Sequence, residues 1–259
     1  MEKKLADKDS VLEFSEKLGR NIVKGKKLGD HGKNTYGKLK QLIRKGNTKE
    51  ALKLVDYLHM EGKGLHDLYC DWTYADMDYV AEKFGEEEVY HMLRNAQSVL
   101  AKVFYGRIPK LSVEETVVFF AEAMRAHRTG PKEKGDFLLR EEDDRYVMEF
   151  DPCGSGGRMR RVGEVDQTPP RTGPPFNLGR TKKPYLWTWG KAGVPYYCAH
   201  CCVWHEIMAI EAKGYPTKIT EYSDDPNVPC VWLFYKKPEL VPEKYFKRIG
   251  MKKDPSRFK

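Results

Sequence analysis

Tyr196-Tyr197-Cys198-Ala199-His200-Cys201-Cys202-Val203-Trp204-His205-Glu206 is the densest run of reactive side chains in this 259-residue sequence. It holds three of the six cysteines and two of the seven histidines. Cys198 and Cys201 stand at C-x-x-C spacing, which lets two thiolates reach one metal from a tight turn or form a redox pair. Cys202 adds a sulfur next door. His205 lies four residues beyond Cys201, so a helix starting near Cys201 projects both from one face. A helix from about Val203 to Lys213, ended by Gly214, therefore follows the cluster. Beyond it, Thr217 to Tyr222 reads as a strand, Asp224-Asp225-Pro226-Asn227 as a turn, and Cys230 to Tyr235 as a second strand. Helix, strand, turn and strand make a compact α+β unit.

Upstream of the cluster, Arg145 to Phe150 alternates in the manner of a strand, and Asp151-Pro152 ends it. Cys153 follows. It is the natural distant partner for the cluster, since a zinc site needs four ligands. The predicted ligands are Cys153, Cys198 and Cys201, with His200 or His205 supplying the nitrogen. Zinc is the expected metal and iron the alternative. The competing reading has these cysteines packed as small apolar side chains, with the histidines merely hydrogen-bonded. A thiol redox protein would need a βαβ context, which the pattern lacks.

Cys153-Gly154-Ser155-Gly156-Gly157-Arg158 is the second element with chemical content. Its glycines allow backbone N–H groups to converge on an anion. Arg158, Arg160 and Arg161 can clamp a carboxylate or phosphate. A flexible turn followed by a solvated basic segment fits the same residues. No Gly-Lys-Ser/Thr or dinucleotide fingerprint is present. Glu206, next to His205, is placed to act as a general base on a metal-bound water, or to be an exposed helix glutamate. Tyr185, Trp187, Trp189, Tyr196, Tyr197, Trp204 and Trp232 can line a pocket or form ordinary core, and Trp232 is read as core. Cys70 reads as core. Cys230, on a strand near the cluster, is the reserve ligand.

Toward the N-terminus the pattern becomes helical. Residues 1–35 are a polar segment, with a short helix expected over Val11 to Val23 behind Ser10. Residues 36–128 form a helical region. One helix follows Tyr36, a second runs from Thr48 to Gly62-Lys63-Gly64, and a third spans residues 65–84 and closes at Gly85. The next starts with Glu86-Glu87-Glu88, where acidic residues suit the helix dipole. Ser112 and Glu115 form a capping box before the last. Residues 129–240 are the α+β metal- and substrate-binding region, and within it residues 154–195 read as one long irregular loop. Residues 241–259 read as a peripheral basic tail.

The net charge of +8 is modest for this length. Lys24, Lys26, Lys27, Lys33 and Lys38 near the front, and Lys244, Lys247 and Arg248 near the back, carry much of it. Without a nucleic-acid motif it reads as solvated ends, so no nucleic acid partner is expected. No apolar run approaches the roughly 20 residues of a membrane span. Met1 to Lys8 has no apolar segment behind it of the kind a secretory signal needs. A cytoplasmic protein with no membrane partner, open to homo-oligomerisation, is the expectation, and its cysteines are then thiols or ligands.

The stretch from the last helix through Asp224-Asp225-Pro226-Asn227-Val228-Pro229-Cys230-Val231-Trp232-Leu233-Phe234 resembles the end of vinyl-reductase-type ligand-binding domains. It also resembles proteins of the aminothiazoline-carboxylate hydrolase-like type, over roughly the last quarter of the chain. In those a helix leads to a strand, a turn, and a Pro and a Cys entering the final strand. The resemblance implies a small-molecule-binding α+β module, in some members linked to cysteine-based metal binding or hydrolysis, and implies that Cys230 lies near the site. The functional expectation is a metal-dependent hydrolase or lyase acting on a small anionic substrate, with or without an aromatic ring, with Glu206 and Arg158 in catalytic roles. Its alternative is a small-molecule-binding or sensing module with a structural zinc site.

Overall fold

The computed structural model describes residues 10–103, 110–163 and 167–259; the Met1–Lys8 stretch lies outside the described residues. The chain separates into two units, Met1–Leu65 and His66–Lys259. The division falls inside the predicted helical region rather than at its edges.

In the smaller unit, β1 (Leu12–Ser15) and β2 (Arg20–Val23) form an antiparallel hairpin, with Leu12 opposite Val23 and Ser15 opposite Arg20. This corrects the helix expected over Val11 to Val23. Gly19 sits at φ +62°, in the left-handed region that stops a helix and closes a turn. The β-branched Ile22 and Val23 then favour the returning strand. Val11 N–H donates to Glu50 Oε2 at 2.7 Å, which ties the hairpin to the following helices. Of these, α1 (Thr35–Arg44) is capped by Asn34, whose side chain accepts from Gly37 N–H at 2.7 Å.

Helix α2 (Thr48–Phe84) is continuous through Gly62-Lys63-Gly64, where a break is predicted. Neither glycine has positive φ. The roughly 1 kcal/mol that each costs relative to Ala is offset by the apolar stripe the helix buries, including Leu54, Tyr57, Cys70, Tyr74 and Met77.

In the larger unit, Gly85 at φ +99° separates α2 from α3 (Glu86–Val103). Helix α4 (Val113–Ala126) begins with the predicted capping box. Ser112 Oγ accepts from Glu115 N–H at 3.1 Å, and Glu115 Oε2 accepts from Ser112 N–H at 2.7 Å. A four-stranded antiparallel sheet follows, in the order β3 (Leu138–Glu141), β4 (Arg145–Phe150), β6 (Cys230–Tyr235) and β5 (Ile219–Glu221). The fold is α+β, as the sequence pattern indicates. Phe120 of α4 packs on the sheet, its ring centroid 5.8 Å from that of Trp232 and 5.5 Å from that of Phe234.

Over residues 154–163 and 167–195 the chain is largely irregular yet anchored at many points. Arg171 makes a bidentate bond to Asp71 (2.7 and 2.9 Å), Gly179 N–H donates to Asp78 Oδ1 (2.8 Å), and Trp187 and Trp189 are buried. The C-terminal residues are not the peripheral tail expected. In and beside α8 (Glu243–Lys247), Tyr245, Phe246 and Ile249 enter the core. Among the described residues, no helix is long and apolar enough to cross a membrane.

Candidate functional site

A cavity of about 260 Å³ lies within the larger unit. Phe119, Phe120, Ala123 and Met124 of α4 line one wall, and Thr220, Cys230 and Trp232 of the sheet line another. Cys153, Cys198, His200, Cys201 and His205, the five predicted ligands, all border it, as do Arg160 and Cys230. The cluster at residues 196–206 and the turn after Asp151 thus do come together.

The helix carrying the cluster is not uniform. After a 3₁₀ turn Tyr196–Ala199, α6 (His200–Cys202) gives way to a π-helical stretch, Val203–Ile207, before α7 (Met208–Lys213). Met208 N–H donates to Val203 O, the i to i+5 bond of the wider turn. Cys201 and His205 both face the cavity, as the four-residue spacing predicts.

Among the described residues, no three His, Cys, Asp or Glu side chains converge into a group that could hold a metal ion. The thiols have other engagements. Cys153 Sγ accepts the Gly157 N–H at 2.9 Å. Cys198 packs so closely on Gly156 that a Cβ there would stand 2.8 Å from its sulfur, and burial pushes the Cys198 thiol well up. His205 is held neutral, first by burial and then by the charge of Lys218.

Cys201 differs from the other thiols. Its Sγ lies 3.5 Å from His200 Nε2. His200 Nδ1 is 2.5 Å from Tyr197 O, so Nδ1 carries a proton and Nε2 faces the sulfur. Burial alone would raise the Cys201 thiol. The Lys218 ammonium and His200 more than offset that and bring it down to about 6. Burial opposes protonation of His200, but the Cys201 charge outweighs it and the imidazole is raised. The pair is therefore biased toward thiolate and imidazolium.

Lys218 is the residue the sequence reading missed. It is 1% exposed, its Nζ donates to Thr220 Oγ1 at 3.1 Å and stands 3.7 Å from the Trp232 ring centroid. A signal for it exists: within the predicted strand it shares a face with Thr220 and Tyr222, both cavity residues. His127, also on the cavity wall, stands just after α4 with no ligand spacing to mark it.

Neither of the two predicted catalytic residues borders the cavity. Glu206 is fully buried and away from the cavity wall. Its carboxylate accepts from Trp189 Nε1 (2.9 Å), Thr220 N–H (2.9 Å) and Arg248 (2.8 Å), so its lone pairs are engaged in holding the helix to the sheet. Burial raises its carboxyl, against the pull of Arg248. Arg158, 1% exposed, points to Asp67 (2.6 Å) and Glu133 (2.7 Å) instead of the cavity. Two residues on, Arg160 does border the cavity. The glycines serve close packing rather than an anion nest. A Cβ on Gly154 would meet the His127 carbonyl oxygen at 2.1 Å, and Gly156–Met159 forms a single helical turn, α5.

Arg160 is nine-tenths buried, donates to Asp224 O at 2.6 Å and stacks on Tyr222 at 4.9 Å. Its Nε has no hydrogen-bond partner; neither do the hydroxyl of Tyr222 and Nε1 of Trp232. All three residues line the cavity.

Comparison with protein-family models, with curated proteins and with solved structures finds no match to this chain.

Proposed function

We propose that this chain is a small-molecule enzyme of the hydrolase class whose substrate is anionic and partly aromatic and binds in the cavity beside Cys201 and His200. One observation carries the reading. The cavity combines aromatic walls with three buried polar groups that lack partners, Arg160 Nε, Tyr222 OH and Trp232 Nε1. Buried donors left unsatisfied cost about 1–3 kcal/mol each, and a carboxylate-bearing ring would satisfy them while filling the apolar space. Arg160 supplies the charge complement from a largely buried position, where such pairing is stronger than at the surface. The Cys201–His200 pair supplies a nucleophile or proton carrier next to the bound molecule.

Thermal denaturation with a panel of small aromatic carboxylates and their neutral amides tests this. The carboxylates alone should raise the Tm, by an amount corresponding to about 2.7 kcal/mol at a concentration 100 times Kd. The gain should disappear in Arg160→Met. Equal behaviour of acids and amides would overturn the anionic part, and no stabilisation by any of them would overturn the reading.

A second reading, a zinc or iron centre in the same cavity, is favoured by the four cysteines and three histidines that border it. Metal analysis of protein purified without added metal, before and after chelation, decides between the two. Stoichiometric metal whose removal abolishes ligand stabilisation would favour the centre. A binding or sensing module would show the same ligand stabilisation with no turnover.

A further inference from the structure

We propose that the smaller unit is a nucleic-acid-binding module, and that a groove walled by its hairpin, α1 and the start of α2 takes the phosphodiester backbone. The proposal is independent of the cavity in the larger unit.

The first observation is where the charge lies. Met1–Leu65 holds sixteen Lys and Arg against nine Asp and Glu, a net +7 of the chain's +8. His66–Lys259 holds thirty against twenty-nine, a net +1. Charge gathered so unevenly into a quarter of the chain is an electrostatic footprint for a polyanion, which it attracts from a distance and binds by releasing counterions.

The second observation is how the fold arranges that charge. After β2 the chain runs Lys24-Gly25-Lys26-Lys27 and then turns toward α1. Lys24 N–H donates to Val11 O at 2.9 Å, and Lys38 Nζ of α1 donates to Lys24 O at 2.6 Å. These bonds hold the hairpin against the helix beside a groove of about 800 Å³ lined by Lys24, Lys26, Lys33 and Lys38. As a sequence these lysines read as solvated ends. Folded, the four converge on one concavity.

The third observation is what the carboxylates there do. Asp30 and Glu50 border the groove, and both are already bonded. Asp30 accepts the Lys26 and Lys27 N–H groups at 3.0 and 3.3 Å and the Lys33 ammonium at 2.8 Å. Glu50 accepts the Val11 N–H at 2.7 Å and the Lys53 ammonium at 2.7 Å. Among the described residues, neither Lys26 nor Lys38 forms an ion pair with a carboxylate. Burial draws the Lys38 ammonium below its ordinary pKa, a penalty that a phosphate placed beside it would relieve. Ser10, Asn34, Gln41 and Asn47 also line the groove, and such side chains hydrogen-bond phosphate and sugar. Tyr36, exposed in the first turn of α1, offers a ring on which a base can stack.

The unit also exposes Leu18 and Leu28, and lysines beside exposed leucines suit an anionic membrane surface as well. Two features favour nucleic acid. The lysines line a concave groove, whereas a bilayer is met by a convex or flat face. Neither leucine lines that groove.

The test uses the full chain and labelled oligonucleotides, DNA and RNA, single-stranded and duplex, with fluorescence anisotropy giving Kd between about 50 and 200 mM salt. With four lysines on phosphates, log affinity against log salt should have a slope of about −3 to −4, a loss of roughly 50- to 150-fold over that range. Lys26→Gln combined with Lys33→Gln should make the slope shallower by about 1.5 to 2. Lys26 is exposed and Lys33 holds only a surface pair, so this variant stays folded. Lys244→Gln combined with Lys247→Gln, on α8 of the larger unit, should change neither Kd nor slope. No binding of any of these nucleic acids at about 100 μM protein in the lowest salt overturns the proposal, because even non-specific backbone contacts reach about that affinity at physiological salt. So does binding that the Lys26 and Lys33 variant leaves unchanged, or that the α8 variant weakens as much. Sedimentation with phosphatidylcholine vesicles, with and without phosphatidylserine, is the remaining arm. Binding to the anionic vesicles that depends on Lys26 and Lys33, with no nucleic acid bound, overturns the proposal in favour of a membrane surface.

Discussion

The larger unit buries charge in two ways. At the Arg158 and Glu206 sites, each charge meets a charge of opposite sign: Asp67 and Glu133 for one, and Arg248 for the other, to which Trp189 and Thr220 also donate. At the cavity, Arg160 is nine-tenths buried and Lys218, which is not on its wall, more deeply still, and neither pairs with a carboxylate among the described residues. Completed sites brace the fold, here the approach of α2 to the turn after β4 and of the cluster helix to β5. Incomplete ones hold electrostatic potential in reserve, and that reserve is what a ligand or a thiolate can use. The distinction lies in partners rather than in residue type, because Arg158 and Arg160 are two positions apart in one helical turn.

The sharpest way to break this comparison is to remove a charge from each class. Arg158→Met should leave Asp67 and Glu133 facing each other in the interior and cost about 3–5 kcal/mol, seen as a lower midpoint in urea or heat. Glu206→Gln should cost about 2 kcal/mol through the weakened bond to Arg248, by the same assay. Lys218→Met should instead leave the protein folded, since it removes a cation that has no carboxylate to strand. Its signature is the alkylation midpoint of Cys201, which rises from about 6. The sign follows from the cause: the ammonium favours the thiolate, so its loss means that a higher pH is needed to form it. Arg160→Met should barely move stability yet weaken binding of aromatic carboxylates by about tenfold to a hundredfold, the value of one hydrogen bond to a charged group. Smallest of all, Arg140→Ala removes an exposed pair with Glu142 and Glu149 and should cost under about 1 kcal/mol.

Much of the architecture was readable from local chemistry. Ser112 and Glu115 marked the start of α4, Gly85 the end of α2, and the alternation from Arg145 to Phe150 marked β4. These signals are short-range, and the same residues that carry them make the contacts. The misreadings share the opposite origin. The Leu12–Val23 hairpin depends on pairing across the Gly19 turn and on Glu50 in a later helix. The continuity of α2 through two glycines depends on burial along its whole length. Phe246 and Ile249 carry the C-terminal residues into a core that their basic neighbours conceal. At the site, spacing brought Cys201 and His205 to one wall, yet it could not reveal that Glu206 turns inward to Arg248. Nor could it separate Arg158 from Arg160, since Glu133 lies 25 residues from the first and Asp224 lies 64 residues from the second.

The π-helical stretch Val203–Ile207 has a consequence of phase. An α-helix advances about 100° per residue, and the wider turn takes up one residue without advancing the face. Upstream of it, the helix is keyed to the cavity through His200 and Cys201; downstream, α7 is keyed to the rest of the core through Ile210. Deleting a single residue here, such as Val203, should therefore restore a regular helix with both halves still in phase, whereas adding one to α7 would rotate one half against the other by about that angle. This helix thus absorbs the loss of a residue in its wide turn far better than the gain of one beside it.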